Sequence, residues 1–222
     1  MRILIYTDLH SDDLCAIELL SKYFEDATIV VEDIDELEES PYGLDSCRTF
    51  SKFCRIANDL FRRADVHLAE EEYEINEFPE AVFVLSKMTA AAKDFERYVE
   101  LRCMDLCVMG GSDDPETQER NQSRDLEAWN DFFTLIKGFK AAKRIYSYQC
   151  CAGAAKFGFP VYNGNFIREF MQKEGKDASE EACCDLMAVY KFIDVMGYKS
   201  LQEKKEDSKK GAKEGTETME VI

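Results

Sequence analysis

Ile3-Leu4-Ile5-Tyr6-Thr7-Asp8-Leu9-His10-Ser11-Asp12-Asp13-Leu14 opens the chain and decides how the rest is read. The apolar run Ile3-Leu4-Ile5 stops at Asp8, and Leu14, Ile17, Leu19 and Leu20 then recur at helical spacing. That pattern predicts a buried strand, a polar turn and a helix. The turn carries Asp8, Asp12 and Asp13, three carboxylates within six residues. Like charges this close repel unless a cation or hydrogen bonds offset them. Hard divalent ions such as calcium take oxygen-only cages of this kind. The same aspartates also suit a plainer role, with Asp12 or Asp13 capping the helix that begins near Leu14.

Further along, the same alternation repeats. Thr28 to Val31 is a second β-branched run, followed by acidic residues and the loop signal Pro41-Tyr42-Gly43. Helical intervals run from Asp45 to Ala64, and short strands are expected at Val66 to Leu68, Val82 to Leu85, Asp105 to Met109 and Arg144 to Tyr148. Helices are expected at Thr89 to Val99, Asp125 to Ile136 and Glu180 to Met196. Strands alternating with helices imply an α/β fold built on an open, mostly parallel, Rossmann-like sheet flanked by helices. Ligands of such sheets sit at the carboxyl ends of the strands. Asp8, Ser86 to Thr89 and Gly110-Gly111 each follow a strand, so they are expected to converge on one edge. The aromatic stripe Trp129, Phe132 and Phe133 reads as core, and His67, inside an expected strand, as structural.

Composition bounds the function. The chain has 222 residues, 45% of them apolar, which suits one domain. Its formal net charge is −17, and such a surface repels a nucleic-acid backbone. No stretch approaches the ~20 apolar residues that span a bilayer, and the opening does not resemble a secretory signal. Nine cysteines, an odd number, with adjacent pairs at Cys150-Cys151 and Cys183-Cys184, read as reduced, mostly buried thiols in a cytoplasmic setting. From about Gln202 apolar residues nearly vanish, so 1–201 is expected to be the folded domain and 202–222 a disordered charged tail.

At this point the order of segments resembles the nucleoside hydrolase family, in its inosine-uridine preferring branch, with this chain a shortened and divergent member. The family opens with a strand, then DxDxGxDD and a helix; here the sequence is YTDLHSDDLCAIELL. Asp8, Asp12 and Asp13 match the second, third and fourth aspartates, Tyr6 replaces the first, and His10 stands where glycine is usual. Leu85-Ser86-Lys87-Met88-Thr89 is similar to LGPLT, and Asp105 to Gly111 to the IVxMGG strand and turn. Glu119-Arg120-Asn121 resembles EFN, and Asn121 to Ala128 follows NxxxDPEA without its proline. Cys183 to Val189 resembles HDPLAV, with Cys184 in place of histidine.

The resemblance implies a calcium-dependent hydrolase of the N-glycosidic bond of a ribonucleoside or related N-ribosyl compound. It implies Asp8, Asp13, the Thr89 carbonyl and Asp185 as ligands of the ion, and Asp8 as the base acting on water. His10 is a second catalytic candidate, able to assist the leaving group where Cys184 cannot. Asp12, Met109, Glu119, Asn121 and Cys184 are expected to line the substrate, a small nucleoside-like molecule, and a homo-oligomer is an expected partner state. The asparagine that follows the family's second strand is missing, with Val31-Glu32-Asp33-Ile34 in its place. Metal ligands are thus better preserved than groups for base recognition, so a ribosyl- or metal-binding protein without rapid turnover is the alternative. The DxH-like opening also resembles calcineurin-type metallophosphoesterases. Those need several more histidines, and only His10 and His67 are present.

Overall fold

In the computed structural model of the chain, the described residues are 1–34, 46–112, 119–138, 141–147 and 184–214. Six parallel strands form one open sheet: β1 (Arg2–Thr7), β2 (Asp26–Val31), β3 (Arg63–Leu68), β4 (Ala81–Val84), β5 (Asp105–Met109) and β6 (Lys143–Tyr146). Their order across the sheet is β3-β2-β1-β4-β5-β6. The α/β, Rossmann-like reading is therefore correct. In this order the chain winds outward in both directions from β1 and β4, and the crevice beyond their carboxyl ends is where such sheets place a ligand.

Helices cover both faces, because successive strand side chains point to opposite sides. Ile3 and Ile5 of β1 face one core with α1 (Ser11–Leu20), α2 (Ser46–Leu60) and α6 (Cys184–Met196), centred on Phe24, Phe53, Phe83 and Phe192. Leu4 and Tyr6 face the other core with α3 (Thr89–Arg97) and α5 (Leu126–Ile136), where Phe95 meets Phe132 edge to face at 4.9 Å. A sheet buried on both faces needs strands that are apolar without alternation, and β1 and β4 are buried along their whole length. A 3₁₀ turn (Val99–Cys103) and the short α4 (Arg120–Arg124) complete the described elements up to α5.

Several boundaries differ from expectation. The helix expected over 45–64 stops at Leu60, and Arg63-Ala64 already belong to β3, paired with Asp26 and Ala27. The strand near 144 spans Lys143–Tyr146, and the helix from Thr89 ends at Arg97. His67 lies in β3 with its ring stacked on Tyr73 at 5.2 Å. The tail expected to be disordered instead begins as a helix, α7 (Leu201–Glu214). Its Lys and Glu residues are good helix formers, and pairs one turn apart support it, as Gln202 with Glu206 does. It is anchored where Lys204 Nζ donates to the Tyr23 carbonyl and touches Met1 Sδ. Residues 215–222, Pro41 to Gly43, Cys150-Cys151 and the first turn expected before Cys184 lie outside the described residues.

Candidate metal centre and active site

The turn after β1 builds the centre of the site. Thr7 Oγ1 accepts from the Leu9 backbone N–H at 3.1 Å, and Leu9 adopts a left-handed φ of 58°. That conformation is costly for a residue with a branched side chain, but Leu9 is fully buried in the core, which holds it in place. The turn directs His10 back over Asp8, and His10 Nδ1 lies 2.6 Å from Asp8 Oδ1. Asp13 Oδ2 accepts from the His10 backbone N–H at 2.9 Å. One Asp13 oxygen thus serves as helix cap, while the other, Oδ1, is buried and accepts no hydrogen bond.

The first residues of α6 arrive against this turn because α1 packs on α6. They bring Asp185, buried like Asp8 and Asp13, with its own Oδ1 unpartnered. Potential ligand atoms fall in two overlapping groups, Asp8 with His10 and Asp13, and Asp12 with Asp13 and Asp185; within each they lie within 4.8 Å of one another. Burial first, then the charges of Asp185 and Asp8, hold the Asp13 carboxyl well above its ordinary range. Burial, then the charge of Asp12, does the same to Asp185. Asp8 goes the other way. Burial opposes its ionisation, but hydrogen bonds from His10 and Asp13 and the charges of His10 and Arg124 outweigh it, lowering its pKa to about 2.

These residues fit a hard divalent cation. The donors of the second group are all carboxylate oxygens, the chemistry such ions prefer. Two of those oxygens are buried and unsatisfied, which is costly unless something positive meets them.

Around this centre the structure places the other expected residues as follows. Thr89 opens α3, and its hydroxyl donates to Asp125 Oδ2 at 2.5 Å. Asp125 in turn follows Arg124, whose Nη1 lies 2.9 Å from Asp8 Oδ2. Cys184 is buried beside Asp185, adding to the rise of that carboxyl's pKa. Met109 ends β5, and its carbonyl and sulfur accept from Asn121 Nδ2 at 3.4 and 3.6 Å. Asn121 Nδ2 also donates to the Leu85 carbonyl at 3.1 Å, tying the ends of β4 and β5 together. Glu119 caps α4 by accepting from the Asn121 and Gln122 N–H groups, and Oε2 also accepts from Gly111 N at 2.9 Å. Both side chains are buried and committed to backbone. Gly110 and Gly111 allow this corner to close: a Cβ at Gly110 would stand 2.7 Å from the Trp129 ring. Trp129 packs on Phe133 at 4.7 Å, as a core residue does.

Tyr6 is not in the centre. By the pleat it points to the opposite face, where its hydroxyl donates to Asp94 Oδ2 at 2.8 Å, an oxygen that Tyr73 shares at 2.7 Å.

Four residues at this edge were given no role by the sequence. Asp33, at φ 53°, holds Lys87 Nζ on Oδ1 at 2.5 Å and Arg124 Nη2 on Oδ2 at 3.0 Å. Glu32, buried after β2, accepts from the Ala90 N–H at 2.8 Å and from the Ser86 hydroxyl. Burial raises its pKa to about 7, against the lowering effect of those hydrogen bonds. For Glu32, Asp33 and Lys87 the only sequence signal was position, one to three residues past a strand end, and Arg124, at the end of α4, had none.

An inosine-uridine preferring nucleoside hydrolase from Bacillus anthracis is similar to this chain among solved structures, at 13% identity and a TM-score of 0.48, covering 86% of this chain and 76% of that chain. No family model matches the sequence, and no curated protein does. At that identity, what the site does has to follow from this chain's own residues. Among the described residues, no helix is long and apolar enough to cross a membrane.

Proposed function

We propose that the chain is a divalent-cation-dependent hydrolase of the N-glycosidic bond of a ribonucleoside or related N-ribosyl compound, with calcium the fitting ion. The observation that carries this reading is the carboxylate cluster at the switch point of the sheet. There Asp12, Asp13 and Asp185 lie within ligand distance of one another beside the Asp8–His10 pair. Motif order in the sequence supports the same reading. Asp13 and Asp185 each offer an unpartnered buried oxygen to the ion. Asp12 adds a third carboxylate, and Asp8 and the Thr89 carbonyl complete the set implied by the resemblance. A hard divalent ion bound there supplies a more acidic water and an anchor for sugar hydroxyls.

The remaining steps belong to the chain. Departure of the base leaves positive charge on the sugar, and the surrounding carboxylates are fixed where they stabilise it. Asp8 carries His10 on one oxygen and Arg124 on the other. A carboxylate so engaged is a weak base, and its role is to orient the imidazole through Nδ1. The opposite ring nitrogen, Nε2, then serves the departing base as proton donor. His10 is 31% exposed, so a substrate can reach it.

A binding protein without turnover is the second reading. It is favoured by the commitment of Glu119 and Asn121 to backbone groups. Free ribose should be measured from a panel of nucleosides, with calcium and with a chelator. Calcium-dependent release supports the hydrolase. Calcium binding with no sugar release from any nucleoside or nucleoside 5′-phosphate favours the binding protein.

A further inference from the structure

The edge that carries the carboxylates also carries two cations: Lys87, which the chemistry above does not use, and Arg124, which also holds Asp8 Oδ2 at 2.9 Å. Arg124 arrives from the end of α4 and Lys87 from the turn after β4, and their side chains are 16% and 21% exposed. Both converge on Asp33, one cation per carboxylate oxygen. Lys87 hydrogen-bonds one oxygen, and the Arg124 guanidinium stands 3.0 Å from the other without hydrogen-bond geometry; two cations set against adjacent oxygens of one planar anion is an arrangement an oxyanion such as phosphate would also meet. Asp33 takes a left-handed backbone conformation, which aspartate adopts more readily than most residues. Meanwhile Glu119 and Asn121, the residues expected to grip the outer end of the sugar, are committed to Gly111, Leu85 and Met109.

The geometry points to an anion subsite at Lys87 and Arg124, in which Asp33 stands in for the phosphoryl group of the substrate. The substrate class is then a phosphorylated ribosyl compound, such as a nucleoside 5′-phosphate, and not a neutral nucleoside. This rests on the ribosyl-hydrolase reading for the identity of the sugar, but the anion subsite itself does not. An entering phosphoryl group displaces the Asp33 carboxylate and keeps both cations paired.

The test is calorimetric titration of the full chain with inorganic phosphate, ribose 5-phosphate and ribose, with calcium titrated in separate samples. Wild type is expected to bind phosphate and ribose 5-phosphate and to bind ribose more weakly. Asp33→Asn removes the competing charge, and asparagine tolerates the left-handed conformation, so phosphate should bind about tenfold tighter. Lys87→Met removes one cation and should weaken phosphate binding about tenfold, with Lys87→Arg restoring most of it. Lys87→Met and Lys87→Arg decide the matter if Asp33→Asn does not fold. Absence of phosphate binding, or equal affinity in wild type and Lys87→Met, overturns the subsite. Calcium binding without phosphate binding removes this inference and leaves the ribosyl-hydrolase reading standing. Phosphate binding without calcium binding does the reverse.

Discussion

Asp8 and His10 form a hydrogen-bonded pair, Oδ1 to Nδ1 at 2.6 Å, across the single residue Leu9, whose left-handed turn brings them together. The pair lies at the carboxyl end of β1, in the crevice where the winding of the sheet reverses. If His10 moves the proton and Asp8 orients it, removing the imidazole should affect turnover far more than ion affinity. His10→Ala is expected to lower the rate of ribose release by about 10² or more, while the calcium dissociation constant changes by less than about threefold. Equal losses in the two measurements would count against the assignment.

The metal-free protein should lose stability as pH rises. Asp13 and Asp185 have their folded pKa raised, by burial first and neighbouring charge second. The folded chain therefore holds these protons more tightly than the unfolded one. The stability they contribute is fully present below the unfolded carboxyl pKa of about 4, and it is lost as pH rises through the folded values. Thermal unfolding in chelator should give a lower midpoint at pH 8 than at pH 5. Asp13→Asn should reduce that difference by a few degrees.

Glu32 adds a separable part of that dependence. Its pKa rises from the ordinary 4.5 to about 7, chiefly by burial. Its contribution is present below pH 4.5 and lost as the pH passes 7, at most on the order of 3 kcal/mol. Glu32→Gln keeps an acceptor for the Ala90 N–H and a partner for Ser86. Denaturant titrations from pH 4.5 to 8 should show a flatter stability profile for this variant, and an unchanged profile would place the dependence elsewhere.

Tyr6 stands where the resemblance implies a first aspartate, yet its hydroxyl serves Asp94 in the opposite core. Tyr6→Phe should cost about 1 kcal/mol in unfolding free energy. Tyr73 still donates to the same oxygen, so kcat and KM should stay within about twofold. A large fall in kcat with unchanged stability would bring Tyr6 back into the site.

Closure of the β5 corner has a steric test. A Cβ at Gly110 would stand 2.7 Å from Trp129 Cζ3 and 3.4 Å from Glu119 Oε2. Gly110→Ala should destabilise by about 1–3 kcal/mol, as overpacking does, measured as a fall in the denaturant midpoint.

What could be read from the sequence follows from how local each signal is. Uninterrupted apolar strands separated by helical periodicities specified a parallel sheet, because only strands covered on both faces lack alternation. Asp8, Asp12 and Asp13 were visible because one short turn carries them all. Asp185 was visible only through motif order, since nothing local distinguishes it from any acidic residue opening a helix. The Asp33–Lys87–Arg124 network was not legible. Asp33 and Lys87 meet because β2 and β4 flank β1, so the turns that follow them lie over its end, and Arg124 joins them from the end of α4, a fact of crossover topology and not of spacing. Tyr6 was matched to the motif's first aspartate, whereas the pleat of β1 turns it to the face opposite Ile3 and Ile5. In α7, sparse apolar residues were read as disorder, whereas favourable helix propensity and the Lys204 anchor are compatible with a helix whose surface is mostly polar.

Calorimetric titration of wild type and Asp13→Ala with calcium tests the central claim most directly. One stoichiometric site in wild type, absent in Asp13→Ala and accompanied by release of protons that grows from pH 8 to pH 6, is the predicted result. No calcium binding by wild type would contradict it, leaving Asp13 as a helix cap and the cluster as buried, protonated carboxyls.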